Sequence, residues 1–145
     1  MENLCIFYAS KYHLSLVLLE YLKNKNTEKY TVQTFLQNKI TDEIKTLMDK
    51  YEIKIKSTNE VNFGRTEDIK NKKIELRSNM IFIIEGDSKY MKESQNYIKE
   101  LIKNQKIENV KIINCYDFEN QIEKMTDEIK NNSKILYTSG VKTID

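Results

Sequence analysis

Short apolar runs alternate with amphipathic stretches along the chain. Residues 4–8, Leu-Cys-Ile-Phe-Tyr, are an unbroken apolar run of strand length, the pattern of a strand covered on both faces. Ser10 then stands where a helix cap belongs, and Leu14, Val17, Leu18, Tyr21 and Leu22 recur at helical spacing to about residue 24. Leu16 and Leu19 widen that stripe, so this helix is expected to be well buried. Residues 30–36, Tyr-Thr-Val-Gln-Thr-Phe-Leu, are β-branched and aromatic and predict a second strand. Thr41 is the expected cap of a second helix carrying Ile44, Leu47, Met48 and Tyr51, and Ile53 with Ile55 suggests a short third strand. Residues 57–78 are polar and least regular, with one weak helix around 67–74.

Regularity returns with residues 80–84, the most apolar strand candidate, and the turn Glu85-Gly86-Asp87-Ser88. A helix over about 89–104 follows, with Tyr90, Met91, Tyr97, Ile98, Leu101 and Ile102 on one side. Residues 110–115 form another strand, Asp117 caps a helix bearing Ile122, Met125 and Ile129, and residues 135–138 make the last strand before Ser139-Gly140. This alternation predicts an α/β fold: a three-layer sandwich with a mostly parallel sheet of five to six strands and helices on both faces. No repeat, linker or low-complexity segment interrupts it, so residues 1–145 read as a single domain.

Composition narrows the partners. The chain has 24 basic and 22 acidic residues, mixed along helical stretches as in Lys92-Glu93 and Lys99-Glu100, which is a solvated surface. Only Arg65 and Arg77 are arginines, and no basic patch of the kind that binds nucleic acid is present. The longest apolar stretch, around 14–22, is too short to span a bilayer and contains Glu20; the amino terminus lacks a basic signal region. The expectation is a cytoplasmic protein with no membrane or nucleic-acid partner. Cys5 and Cys115 lie in apolar runs and are expected to be buried thiols.

In an open α/β sheet, ligands bind beyond the carboxyl ends of the strands. That rule selects the segments 8–11, 85–88, 115–117 and 138–140. The candidate ligand-binding residues there are Tyr8, Ser10, Glu85, Asp87, Tyr116 and Ser139. Tyr8, Tyr90, Tyr116 and Tyr137 are all expected near one edge, where a ring with a polar tip suits a small, partly apolar ligand, or else simply finishes the core. Asp87 and Asp117 stand before helices, where capping is the plainer role. Glu85 directly follows an apolar run and reads either as a working carboxylate or as a solvated strand end. No Walker A loop and no dinucleotide-binding glycine pattern exists, so no nucleotide cofactor is implied. The single histidine, His13, reads as a helix-surface or capping group, and Cys115 as packing rather than a nucleophile. One histidine and two distant cysteines do not make a metal site. No catalytic residue is expected.

Two family resemblances rest on these residues. Phe7-Tyr8 followed by the helix from Lys11, Glu85-Gly86 with Tyr90 and Asn96 on the next helix, and Asn114-Cys115-Tyr116-Asp117-Phe118 followed by 122–129 and 135–140 resemble, in order and spacing, the MEDS domain, a sensory domain of methanogens and methylotrophs. Ser133-Lys134 stands where that family commonly has a His-Pro pair, and the family's histidine before the first strand is absent. The resemblance implies a RecA-like α/β fold without a working P-loop. It also implies a non-catalytic role in sensing a small molecule and signalling to a regulatory protein or kinase, directly or as a homodimer. The segment Tyr8-Ala9-Ser10-Lys11-Tyr12 is similar to the start of flavodoxin, which would imply an FMN-binding electron carrier. Here His13-Leu14-Ser15 replaces the phosphate-wrapping loop, and Leu14 belongs to the helical stripe.

Overall fold

The computed structural model describes residues 2–23, 30–38, 40–50, 58–62, 79–105, 107, 109–117, 134–137 and 140–143. Its elements are β1 (Glu2–Tyr8), α1 (Lys11–Lys23), β2 (Tyr30–Leu36), α2 (Thr41–Lys50), β3 (Thr58–Asn62), β4 (Asn79–Glu85), α3 (Ser88–Lys103), β5 (Asn109–Asp117), β6 (Lys134–Tyr137) and β7 (Gly140–Thr143). Among the described residues the strands form one sheet in the order β3-β2-β4-β5-β1-β6-β7. Strands β1 to β6 pair in parallel, and β7 runs antiparallel to β6. The short strand expected at residues 53–55 and the helices expected at 67–74 and 118–130 lie outside the described residues. Strands β3, at Thr58–Asn62, and β7 are ones that the apolar pattern does not signal.

The sheet is apolar on both sides, and its period of two divides the side chains cleanly. Leu4, Ile6 and Tyr8 of β1, Ile81 and Ile83 of β4, and Ile113 and Cys115 of β5 face α1 and α2, meeting Leu14, Val17, Leu18, Leu22, Ile40 and Ile44. The alternate residues Cys5, Phe35, Phe82, Ile84, Ile112 and Tyr116 gather against Tyr90, Met91 and Ile98 of α3. Strand β2 is buried at all seven positions, including Thr31, Gln33 and Thr34, as expected of a strand covered on both faces. Register places Cys5 opposite Asn114 and Ile6 opposite Cys115, so the two thiols sit on opposite faces of the sheet and cannot bond to each other. Both are buried and neither is in a disulfide.

Helix starts follow the side chains available. Ser10 Oγ accepts the His13 N–H at 3.1 Å while the Ser10 carbonyl accepts from Leu14 N, so Ser10 is the cap of α1. His13 Nδ1 reaches back to accept the Ala9 N–H at 3.2 Å, a reciprocal arrangement that satisfies a further backbone donor before the helix. Asp87 caps α3, its Oδ1 accepting the Tyr90 N–H at 2.8 Å. Thr41, expected as the cap of α2, is instead its first helical residue. The cap position is Ile40, whose carbonyl accepts from Ile44 N at 3.0 Å and whose side chain is fully buried. Burial of Ile40 anchors this start, overriding the preference for a polar cap.

Candidate functional site

Parallel strands present their carboxyl ends at one edge, and β2, β4, β5 and β1 lie side by side there. From β2 the chain turns into α2 on one face; from β4 it turns into α3 on the other. Turns diverging from neighbouring strands leave a crevice between them. Here Gln37-Asn38 and Glu85-Gly86-Asp87 stand at that position and are hydrogen-bonded to each other.

Glu85 has no solvent exposure. Its Oε1 accepts a hydrogen bond from the Tyr8 hydroxyl at 3.3 Å and another from Asn38 Nδ2; its Oε2 accepts from the Asn38 backbone N–H at 3.1 Å. A buried carboxyl group is tolerated only when such donors replace water. Glu85 is therefore neither a solvated strand end nor an open group at a rim. The Tyr8 ring crosses above β5 to reach it, because β1 and β4 flank that strand. Burial, then the neighbouring Glu85 carboxylate, push the Tyr8 phenol far above its ordinary range, so it remains a donor at any physiological pH. Cys115 pairs in register with Glu85 on the same face. Burial first and Glu85 second raise its thiol well above the ordinary value, which removes the nucleophilic thiolate form.

The outer part of the crevice is closed by Gln37 and Asp87. Gln37 Nε2 donates to Asp87 Oδ2 at 3.0 Å, the Asp87 N–H donates to Gln37 Oε1 at 2.7 Å, and the Gln37 N–H donates to the Glu85 carbonyl at 2.9 Å. Gly86 permits this approach. Its φ is 159°, and a Cβ there would lie 2.6 Å from Tyr90 Cδ1 and 2.9 Å from Gln37 Cβ. Gly86→Ala should destabilise the protein by about 2 kcal/mol through overpacking and backbone strain. Urea unfolding is the measurement, and a loss below about 0.5 kcal/mol would show that the two turns separate freely, since surface changes fall in that range.

Asp87 thus does two jobs, capping α3 with one oxygen and holding Gln37 with the other. The Tyr90 N–H first, and the Gln37 amide second, hold its carboxyl below the usual carboxylate range. A depressed carboxyl stabilises the fold above its unfolded pKa of about 3.9, and that contribution is lost as pH falls through the folded value. Wild type should therefore lose more stability than Asp87→Ser between about pH 5 and pH 2. Parallel acid limbs for the two proteins in thermal melts would count against this pairing.

The structure brings Tyr8, Glu85 and Asp87 together and separates Tyr116 from them. Tyr116 is buried on the α3 side, stacked on Phe7 with ring centroids 5.5 Å apart. Tyr90 is on that face as well, so the tyrosines do not converge. Ser10 is near the edge but spends its hydroxyl on the cap of α1. Asp117 ends β5 beside Tyr8, and the helix it was expected to cap lies outside the described residues, as do Ser139 and the side chain of Tyr137. Gln37 and Asn38 were missed by the sequence reading. Their signal was their place after β2, to which the carboxyl-end rule applies equally.

Among the described residues, no group of three or more His, Cys, Asp or Glu side chains is placed to hold a metal ion, and no helix is long and apolar enough to cross a membrane. Fold and site together define an α/β protein with a buried polar cluster at the carboxyl edge of a parallel sheet. Compared with known proteins, the chain matches no family model, no curated protein and no solved structure.

Proposed function

We propose that this chain is a non-catalytic regulatory domain that senses a small molecule in the cytoplasm and signals through a partner, a regulatory protein or kinase, or by forming a homodimer. In this reading the whole chain is one three-layer sandwich of the MEDS type, and neither nucleic acid nor membrane is a partner. The observation that carries the reading is the Tyr8–Glu85–Asn38 cluster, a fully buried carboxyl group at the strand-end edge where α/β folds bind ligands. Among the described residues, the thiol beside it, Cys115, is held in its protonated form and is not an activated nucleophile. The cluster offers hydrogen bonds whose partners a ligand can exchange. A flavodoxin-like electron carrier is less well supported: in that fold β1 lies between β2 and β3, whereas here β1 lies between β5 and β6.

A thermal-shift screen of small metabolites against wild type and Glu85→Gln tests the reading. A ligand at a hundred times its Kd adds about 2.7 kcal/mol of stability, enough for a shift of several degrees. The expected result is a ligand that stabilises wild type, fails to stabilise Glu85→Gln, and is recovered unchanged. Turnover of that ligand, equal stabilisation of both proteins, or a yellow preparation with a flavin spectrum overturns the proposal.

A further inference from the structure

The bonds across the crevice differ in exposure. Gln37 is half-buried and Asp87 is exposed, so their reciprocal pair lies in water. The second pair joins Asn38 to the fully buried Glu85. Both pairs fasten the same two-residue turn, Gln37-Asn38, to the end of β4, and α2 and α3 leave that junction toward opposite faces. Asn38 is itself exposed, while two of its N–H groups cover Glu85 from outside. Any molecule that reaches Glu85 from this side must first displace Asn38. Hydrogen bonds in water are weak individually, whereas one that satisfies a buried group is costly to lose. The outer pair is therefore the one that opens readily, and its opening leaves the turn held by the Gln37 N–H on the Glu85 carbonyl and by the Asn38–Glu85 pair.

We propose that Gln37-Asn38 is a latch over Glu85 whose catches release in order: the exposed Gln37–Asp87 pair first, then the inner catch made by the Gln37 N–H on the Glu85 carbonyl and the buried Asn38–Glu85 pair. The biological meaning of the latch rests on the Glu85 crevice being the ligand site, but its mechanics do not. Ligand-free protein therefore tests it, and a failed ligand screen leaves that test standing.

Residue-resolved amide hydrogen exchange on the full chain is the experiment. The variants are Gln37→Ala, which removes the outer catch, and Asp87→Ser, which removes its side-chain half, keeping the Asp87 N–H bond to Gln37 Oε1 and a hydroxyl to cap α3. The probe is the Asn38 N–H, whose acceptor on Glu85 is untouched by either change. The Ile113 N–H, in the centre of the sheet, reports global opening. If the catches are coupled, Asn38 exchange rises about tenfold in Gln37→Ala and by a smaller factor in Asp87→Ser, after correction for intrinsic rates, while Ile113 exchange stays at the wild-type rate. Unchanged Asn38 exchange in either variant shows that the two pairs act independently and overturns the latch. A parallel rise at Asn38 and Ile113 in either variant shows global loosening and overturns it as well.

Discussion

Glu85→Ala is expected to lower the unfolding free energy by about 3 kcal/mol, a large loss for one polar residue near a loop. The change leaves the Tyr8 hydroxyl buried with its acceptor gone, a cost of about 1–3 kcal/mol. It also removes the packing of a fully buried side chain. The two Asn38 donors lose less, because Asn38 is exposed and water replaces the carboxyl oxygens. Glu85→Gln keeps the shape and one carbonyl acceptor, so its cost should be nearer 1 kcal/mol. Tyr8→Phe should cost about 1 kcal/mol in wild type and should recover about 1–3 kcal/mol in the Glu85→Ala background, because it removes the buried hydroxyl that has lost its acceptor. Urea unfolding of the four proteins measures the cycle. Additive losses would show that the 3.3 Å contact contributes nothing to stability. The cluster therefore serves folding as well as any ligand, and Glu85→Gln is the variant suited to binding experiments.

On the other face of the sheet the larger effect belongs to Phe35→Ala, with an expected loss of about 4 kcal/mol. Phe35 is fully buried near the carboxyl end of β2 and pairs in register with Ile84. Its ring lies 6.1 Å from that of Phe82, tilted at 48°, and 6.2 Å from that of Tyr97, edge-on at 69°. These contacts tie α3 to β2 and β4, and aromatic pairs add about 0.5–1.5 kcal/mol beyond area burial. Phe35→Leu should recover more than half of the loss, because most of the cavity is refilled. Phe35 precedes the latch by two residues but points away from it, so exchange at Asn38 should rise only in proportion to the global loss. A selective rise at Asn38 in Phe35→Leu would show that the two faces of the sheet are coupled through β2.

The strands and helices were readable because each is amphipathic or wholly apolar over its own length. Strand β2 falls at Tyr30–Leu36, the interval that its β-branched and aromatic residues mark. Residues 4–8 and 80–84 lie inside β1 and β4, whose ends extend into the polar residues Glu2 and Glu85. Ser10 and Asp87 cap the helices that they precede, since capping depends only on residues within one turn. Strand β7 was not readable: Gly-Val-Lys-Thr has one apolar residue, and its pairing is supplied by β6.

What chain pattern determined by itself is local: the apolar strands β1, β2, β4 and β5, the helices α1, α2 and α3, and the caps Ser10 and Asp87. Tertiary structure decided which side chains meet at the strand ends. Tyr8 and Tyr116 end adjacent parallel strands, yet the register sets Tyr8 opposite Asp117 and Phe7 opposite Tyr116. Side chains alternate along a strand with a period of two, so this offset of one residue sends the two tyrosines to opposite faces. The same pairing that separates them lets Tyr8 reach across β5 to Glu85. Glu85 is buried because β2 ends beside β4 and its turn supplies Asn38, a neighbour 47 positions away in the chain. Strand order and register are set by long-range pairing, and it is these that turn a glutamate at a strand end into a fully buried group.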